Sequence, residues 1–305
     1  MRSRATLAAL VLLFAGTGRA ATRAFAETYE TRTGAQGDGQ VESWIDDDAA
    51  YGFWDVWRFW WGATAALTDT VEVSAYVVGA QQWTGPSEAS LESGQGQPSS
   101  GLQLEMLYLM ARWRFFGDGK RGLSLMGQLE FCLPVLPALA DQQKLPLLSH
   151  ATVLGERLVA SYDAPHFIAS ANLLFDEAAA FDAPGRVQIG DYSLHALLKW
   201  TAGVAYAPFQ PGLGGPPFTI GVEAFGDIAA RDFNYAGIWA IWWPGAFPAA
   251  VGPALSVARG RFWATASLGW TPAGVQSLVE YGDGLLKPTQ VGLEGVGRLI
   301  AAFEF

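Results

Sequence analysis

Val71-Glu72-Val73-Ser74-Ala75-Tyr76-Val77 alternates polar with apolar or small residues. Period two sends successive side chains to opposite faces of an extended chain, so this stretch predicts a β-strand rather than a helix. The pattern returns in Phe262-Trp263-Ala264-Thr265-Ala266-Ser267-Leu268. One such segment means little; repetition is what carries the reading. Beyond Ala26 it predicts twelve strands, near 41–49, 53–67, 71–83, 101–116, 123–137, 151–162, 166–176, 192–206, 218–228, 249–259, 261–271 and 291–305. The connections alternate in kind. Residues 68–69, 117–122, 163–165 and 260 make short turns, whereas 84–100, 138–150, 177–191, 229–248 and 272–290 are longer. Residues 207–217 are long for the short side, and 50–52 are brief for the other.

Composition agrees with strands in an apolar medium. Of 305 residues 50% are hydrophobic and only 16% charged, against about 25% charged in an average soluble domain. Disorder is excluded by that hydrophobic content. A disulfide scaffold is excluded by the lone Cys132. A nucleic-acid partner is excluded by 19 basic against 29 acidic residues. A helical membrane bundle needs runs of about 18–20 apolar residues. The nearest candidate, Tyr235–Val251, is broken by Pro244 and Pro248.

The N-terminus reads as an export signal. Basic MRSR precedes the twelve apolar residues Ala5–Gly16, and Ala24-Phe25-Ala26 gives a small-x-small cleavage site, with a second candidate near Ala20–Ala21. Residues 1–26 are thus predicted as signal peptide, 27–40 as a flexible periplasmic lead, and 41–305 as the barrel. The signal holds Arg2, Arg4, Arg19 and Arg23 and no acid, which leaves 15 basic and 29 acidic groups and a net charge of −14. Short turns, longer loops and an even strand number are the features of outer-membrane barrels. The expected fold is all-β, a transmembrane antiparallel up-and-down β-barrel of about twelve strands in the bacterial outer membrane.

Phe303 and Phe305 end a strand with Ala301 and Leu299 on the same face and Glu304 and Arg298 on the other. That ending resembles the assembly signal of outer-membrane barrels, which implies the barrel-assembly machinery as a partner beside the lipid bilayer. Trp54, Trp57, Trp60 and Trp61 cluster in one strand, as rings at headgroup level do. Phe233, Tyr235, Trp239, Trp242 and Trp243 are expected as an outer aromatic mouth, since aromatic patches capture apolar solutes. Tyr51–Val77 (YGFWDVWRFWWGATAALTDTVEVSAYV), with its Leu67-Thr68-Asp69-Thr70-Val71-Glu72-Val73 hairpin, resembles the outer-membrane family assigned to meta-pathway phenol degradation, as does Gly252–Ser256 before the Arg259-Gly260-Arg261 turn. The resemblance implies transport of aromatic solutes.

If the apolar phase meets lipid, the other phase lines the lumen. This places Arg58, Thr64, Glu72, Ser74, Gln103, Glu105, Gln128, Glu130, Asn172, His195, Lys199, Glu223, Asp227, Thr265, Ser267, Glu294 and Arg298 inside. The warrant is the cost of a charge on the lipid face, about 2–4 kcal/mol for Arg or Lys at the midplane. Arg112 and Arg114 fall out of phase with Glu105, which predicts a bulge or a rim position. Twelve strands about 4.8 Å apart and tilted near 40° give a backbone diameter of roughly 24 Å and a lumen of about 10–12 Å at best. Small solutes fit, hydrophobic or aromatic ones among them. The alternative is a closed structural barrel serving as adhesin, receptor or anchor through its outer loops; a hydrolase comes third. No catalytic triad is visible around His150, His166 and His195, no cofactor site is expected, and Asp46-Asp47-Asp48 reads as a solvated acidic rim.

Overall fold

The computed structural model describes residues 23–50, 54–84, 102–134, 151–180, 194–208, 218–232, 239–241, 250–270, 276–280, 286–290 and 294–305. The strands are β1 (Gly39–Ala50), β2 (Trp54–Thr68), β3 (Val71–Thr84), β4 (Gln103–Phe116), β5 (Gly122–Pro134), β6 (Ala151–Ala164), β7 (Phe167–Ala180), β8 (Leu194–Tyr206) and β9 (Phe218–Asp232). They continue with β10 (Trp239–Ile241), β11 (Ala250–Arg259), β12 (Phe262–Trp270), β13 (Gln276–Glu280), β14 (Leu286–Gln290) and β15 (Glu294–Glu304). Neighbours pair antiparallel around a ring that runs β1 through β9, then β11, β12 and β15, and closes where β15 pairs β1. Twelve strands therefore form a closed barrel, and each sequence-predicted strand corresponds to one of them. Among the described strands, only β10, which pairs antiparallel with the end of β9, and the separate β13–β14 hairpin lie outside the ring.

The quoted stretch shows why the sheet closes with this face inward. Glu72, Ser74 and Tyr76 are buried, whereas Val73 and Val77 are exposed. The same holds around the ring, where Leu107, Leu109, Leu129, Phe131, Leu158, Leu173, Val204, Ile220, Val222, Leu255, Val257 and Leu268 all point outward. A continuous apolar exterior of this extent is a lipid contact rather than a water-facing surface. Closure leaves no unpaired edge among the described ring strands, the condition for β-structure to cross a bilayer.

The phase break at β4 is a bulge. The β3–β4 register shifts between Val78 and Gly79, opposite Glu105, so Glu105, Tyr108, Met110 and Arg112 are all buried. Arg114 sits further along, at the short-turn rim, where its guanidinium donates to the Asp69 carbonyl. In the adjacent turn the backbone N–H groups of Lys120 and Arg121 hold the Asp118 carboxyl below its usual range. Gly260 closes the β11–β12 turn at φ +66, in the left-handed region that glycine enters without steric cost.

Trp44 and Trp60 correct the rim reading of the first tryptophan cluster. They pair across β1 and β2 and point into the lumen, while Trp57 and Trp61 face out. Inside, Trp44 packs at a tilt against Trp60 at 5.3 Å and against Tyr76 at 4.8 Å, and Trp60 meets Tyr108 edge-on at 5.2 Å. One inner wall is aromatic. Gly62 makes room for it, because a Cβ there would lie 2.3 Å from the Tyr76 ring.

Candidate functional site

The lumen is filled by the chain's own N-terminal segment. Of residues 27–40, expected as a flexible periplasmic lead, 27–34 instead run through the interior, 35–37 are exposed over the β2–β3 turn, and Gly39 and Gln40 already belong to β1. The correction has a plain cause. The backbone N–H groups of Glu27, Thr28, Tyr29 and Thr31 and the side chains of Glu27 and Arg32 meet complementary atoms on the wall, and the segment needs no periodicity of its own to be held.

Side chains on distant strands take its backbone donors one after another. Glu223 accepts from the N–H groups of Ala26, Glu27 and Thr28 at 3.2, 3.0 and 2.8 Å. Asn172 accepts from the Tyr29 N–H at 2.8 Å, and both Asn172 and Ser170 donate to the Tyr29 carbonyl. Ser161 takes the Thr31 N–H at 3.1 Å, and Glu72 takes that of Gly34 at 2.6 Å. The segment leaves over the β2–β3 turn, where Asp69 accepts from the Gln36 N–H.

Charge follows the same plan. Arg298 pairs with Asp46 at 2.6 Å and with Glu27 at 3.0 Å, and Arg32 pairs with Asp163. The Tyr29 ring lies 4.1 Å below the Arg23 guanidinium and 4.4 Å from that of Arg157, within cation–π range. Behind the segment the wall is self-paired. Arg58 meets Glu105 at 3.1 Å, Arg157 meets Glu130 at 3.0 Å, Lys199 meets Asp176 at 3.4 Å, and Arg112 meets Glu72. Between plug and wall, beside Trp44, Tyr76 and Arg112, remains a cavity of about 10 Å³, barely room for one water.

Of the sequence-predicted lumen residues, Glu72, Glu105, Glu130 and Glu223 are buried inside, and Arg58, Lys199 and Arg298 join them in ion pairs. Thr64, Ser74, Gln128, Asn172, Thr265 and Ser267 are buried as well. The backbones of His195, Asp227 and Glu294 belong to β8, β9 and β15, and their side chains lie outside the described residues, as does that of Gln103. Phe233, Tyr235, Trp242 and Trp243 of the expected outer mouth also lie outside them, and of Trp239 only the backbone, at the start of β10, is described. Phe303 and Phe305 end the closing strand, with the Phe305 N–H donating to the Gly39 carbonyl.

Sequence reasoning missed several partners. Asp46, read as part of a solvated rim, is buried 8% exposed against Arg298. Arg157 and Asp176 were legible as the alternate residues of strands already drawn, and the surplus of inward acids was the signal that cations remained to be found; Asp163 was read into the turn at 163–165. His166, at the β6–β7 turn, hydrogen-bonds the Ala207 carbonyl at 3.0 Å. Among the described residues no group of three or more His, Cys, Asp or Glu side chains could hold a metal ion.

No family model matches the chain, and neither does any curated protein. Among solved structures, the NanC porin shares 9% identity over 86% of this chain and 98% of its own, at TM-score 0.45. The translocator domain of the autotransporter NalP from Neisseria meningitidis shares 13% over 89% of each chain, at 0.42. The Pseudomonas putida toluene transporter TodX shares 9% over 95% of this chain and 98% of its own, at 0.39. At such values neither cargo nor mechanism transfers, and the closed barrel stands on the register of its own strands.

Proposed function

We propose that this chain is an outer-membrane conduit for small solutes, hydrophobic or aromatic ones included, whose lumen is closed by its N-terminal segment. The observation that carries the reading is the way the plug is held. Its ties to the wall are hydrogen bonds and ion pairs from a non-regular segment, and the wall behind it is separately paired through Arg58–Glu105, Arg157–Glu130 and Lys199–Asp176. Withdrawing the segment therefore leaves an intact, polar-lined barrel of the width estimated from twelve strands. The inner aromatic wall of Trp44, Trp60, Tyr76 and Tyr108 suits aromatic solutes, and so does the resemblance of Tyr51–Val77 to the phenol-degradation family. The signal-like N-terminus and the Phe305 ending support export and machinery-assisted insertion into the outer membrane.

The filled lumen favours a second reading, a closed structural barrel that acts through its outer loops. Planar-bilayer conductance separates the two. The intact mature chain is expected to be silent or to flicker, and a chain lacking Glu27–Ala35 to show discrete open steps. A deletion barrel that folds, shifts on heating in gel electrophoresis and still does not conduct would establish the structural reading instead.

A further inference from the structure

Arg23–Ala26 continue the plug upstream of Glu27, and each of the four meets a partner. The Arg23 carbonyl accepts from the Thr265 hydroxyl at 2.7 Å, and its guanidinium lies 4.1 Å from the Tyr29 ring and 5.5 Å from that of Trp44. The Ala24 N–H donates to Glu30 at 2.6 Å, and the Ala26 carbonyl accepts from Arg298 at 3.5 Å. The Phe25 ring is fully buried among Ala24, Ile168, Ala205 and Ala254. Gly203 of β8 faces it, and a Cβ there would lie 2.7 Å from two ring atoms. A glycine inside a strand weakens it and marks the close approach of another group. Here that group is Phe25.

Charge makes the same point. The small cavity beside Trp44 and Tyr76 is lined by Glu30, Glu42 and Glu72 against Arg32 and Arg112, and Arg23 evens the count. Glu30 is only 3% exposed, and without Ala24 it would lose the N–H from which it accepts. A buried acceptor left unpaired is costly. Ile168, Ala205 and Ala254 would be left facing a wet lumen, against the hydrophobic effect. A leader that ends at Ala26 removes all of these contacts, and one that ends at Ala20 removes none. Gly18-Arg19-Ala20 is itself small-x-small, and it ends four residues past the apolar run rather than ten.

We propose that the leader is cut between Ala20 and Ala21, so that Arg23–Ala26 stay in the mature protein as the inner end of the plug. Water adds its oxygen to the Ala20 carbonyl carbon, the bond to the Ala21 nitrogen breaks, and that nitrogen leaves as an amine. The assignment does not rest on conduction, because a closed structural barrel would keep the same N-terminus.

The N-terminal peptide of the protein taken from outer membranes, read by mass spectrometry, tests it. It is expected to begin at Ala21. A chain that begins at Glu27, or anywhere past Arg23, or that keeps its leader, would overturn the proposal. The fit of wall to plug is tested apart from processing, with refolded Ala21–Phe305 and Glu27–Phe305 unfolded in urea and followed by tryptophan fluorescence. The longer chain is expected to have the higher midpoint, and Phe25→Ala to lower it. Gly203→Val is expected to lower the midpoint of the longer chain, where it meets the ring, and not that of the shorter one. Equal losses in the two chains, or equal midpoints before substitution, would mean that the wall is not built for Phe25 and would sink the assignment as well.

Discussion

Glu72 shows what one residue does in this lumen. Its carboxylate holds both the Arg112 guanidinium and the Gly34 N–H of the plug, at 4% exposure. Removing one partner of a buried pair strands the other's charge, whereas replacing both by apolar groups removes the desolvation cost as well. Arg112→Met is therefore expected to lower stability by about 3 kcal/mol, read from urea unfolding followed by tryptophan fluorescence. Arg112→Met with Glu72→Leu is expected to recover most of the loss in wall stability. Equal losses in the single and double variants would mean that the pair is not what the wall depends on. Glu72 was legible from alternation because a charge has only one affordable face in such a strand. Arg112 was legible only as a break in phase with Glu105, and the bulge opposite Gly79, which moves the count by one, is what turns it inward. The aromatic wall was hidden by the same logic in reverse. Trp44, Trp60 and Tyr76 are apolar enough to suit lipid, and only their register shows them turned inward.

At the scale of elements, the twelve ring strands were legible because each repeats one period over about ten residues, and their errors are independent. The β13–β14 hairpin and β10 were not, being five, five and three residues long, too short for a period to declare itself. The N-terminal segment was illegible for a different reason. Its partners are side chains 130 to 196 residues away in sequence, at Ser161, Asn172 and Glu223, and nothing local announces them. What holds it can be fixed covalently. With Thr31→Cys and Ser161→Cys in an otherwise Cys132→Ser chain, oxidation is expected to suppress all conductance and reduction to restore the flicker of the intact barrel. Steps that persist in the cross-linked protein would show that the solute path does not pass the plug. Loosening the segment gently should have the converse effect. Glu223→Gln removes the charge from the carboxylate that anchors Glu27, and an increased open fraction in single-channel records is the expected result.

Taken as a whole, the molecule sorts its residues by medium: apolar outside, charged and paired within. On the described wall the acids Glu42, Asp46, Glu72, Glu105, Glu130, Asp163, Asp176 and Glu223 outnumber the bases Arg58, Arg112, Arg157, Lys199 and Arg298. With the plug deleted, the open barrel is expected to prefer cations, seen as a cation-shifted reversal potential across a salt gradient, and an anion shift would contradict this lining. Residues 27–34 of the plug add one net negative charge, since Glu30 is offset by Arg32 and Glu27 pairs with Arg298 of the wall. The Ala26–Glu27 bond also imposes a calendar. Ala26 is fully enclosed and the Glu27 nitrogen rests on Glu223, so no peptidase can reach the bond between them once β1 has met β15. If residues 1–26 are a leader, it has to be cut while the seam is still open, and a chain that closes too early is sealed around its own address label.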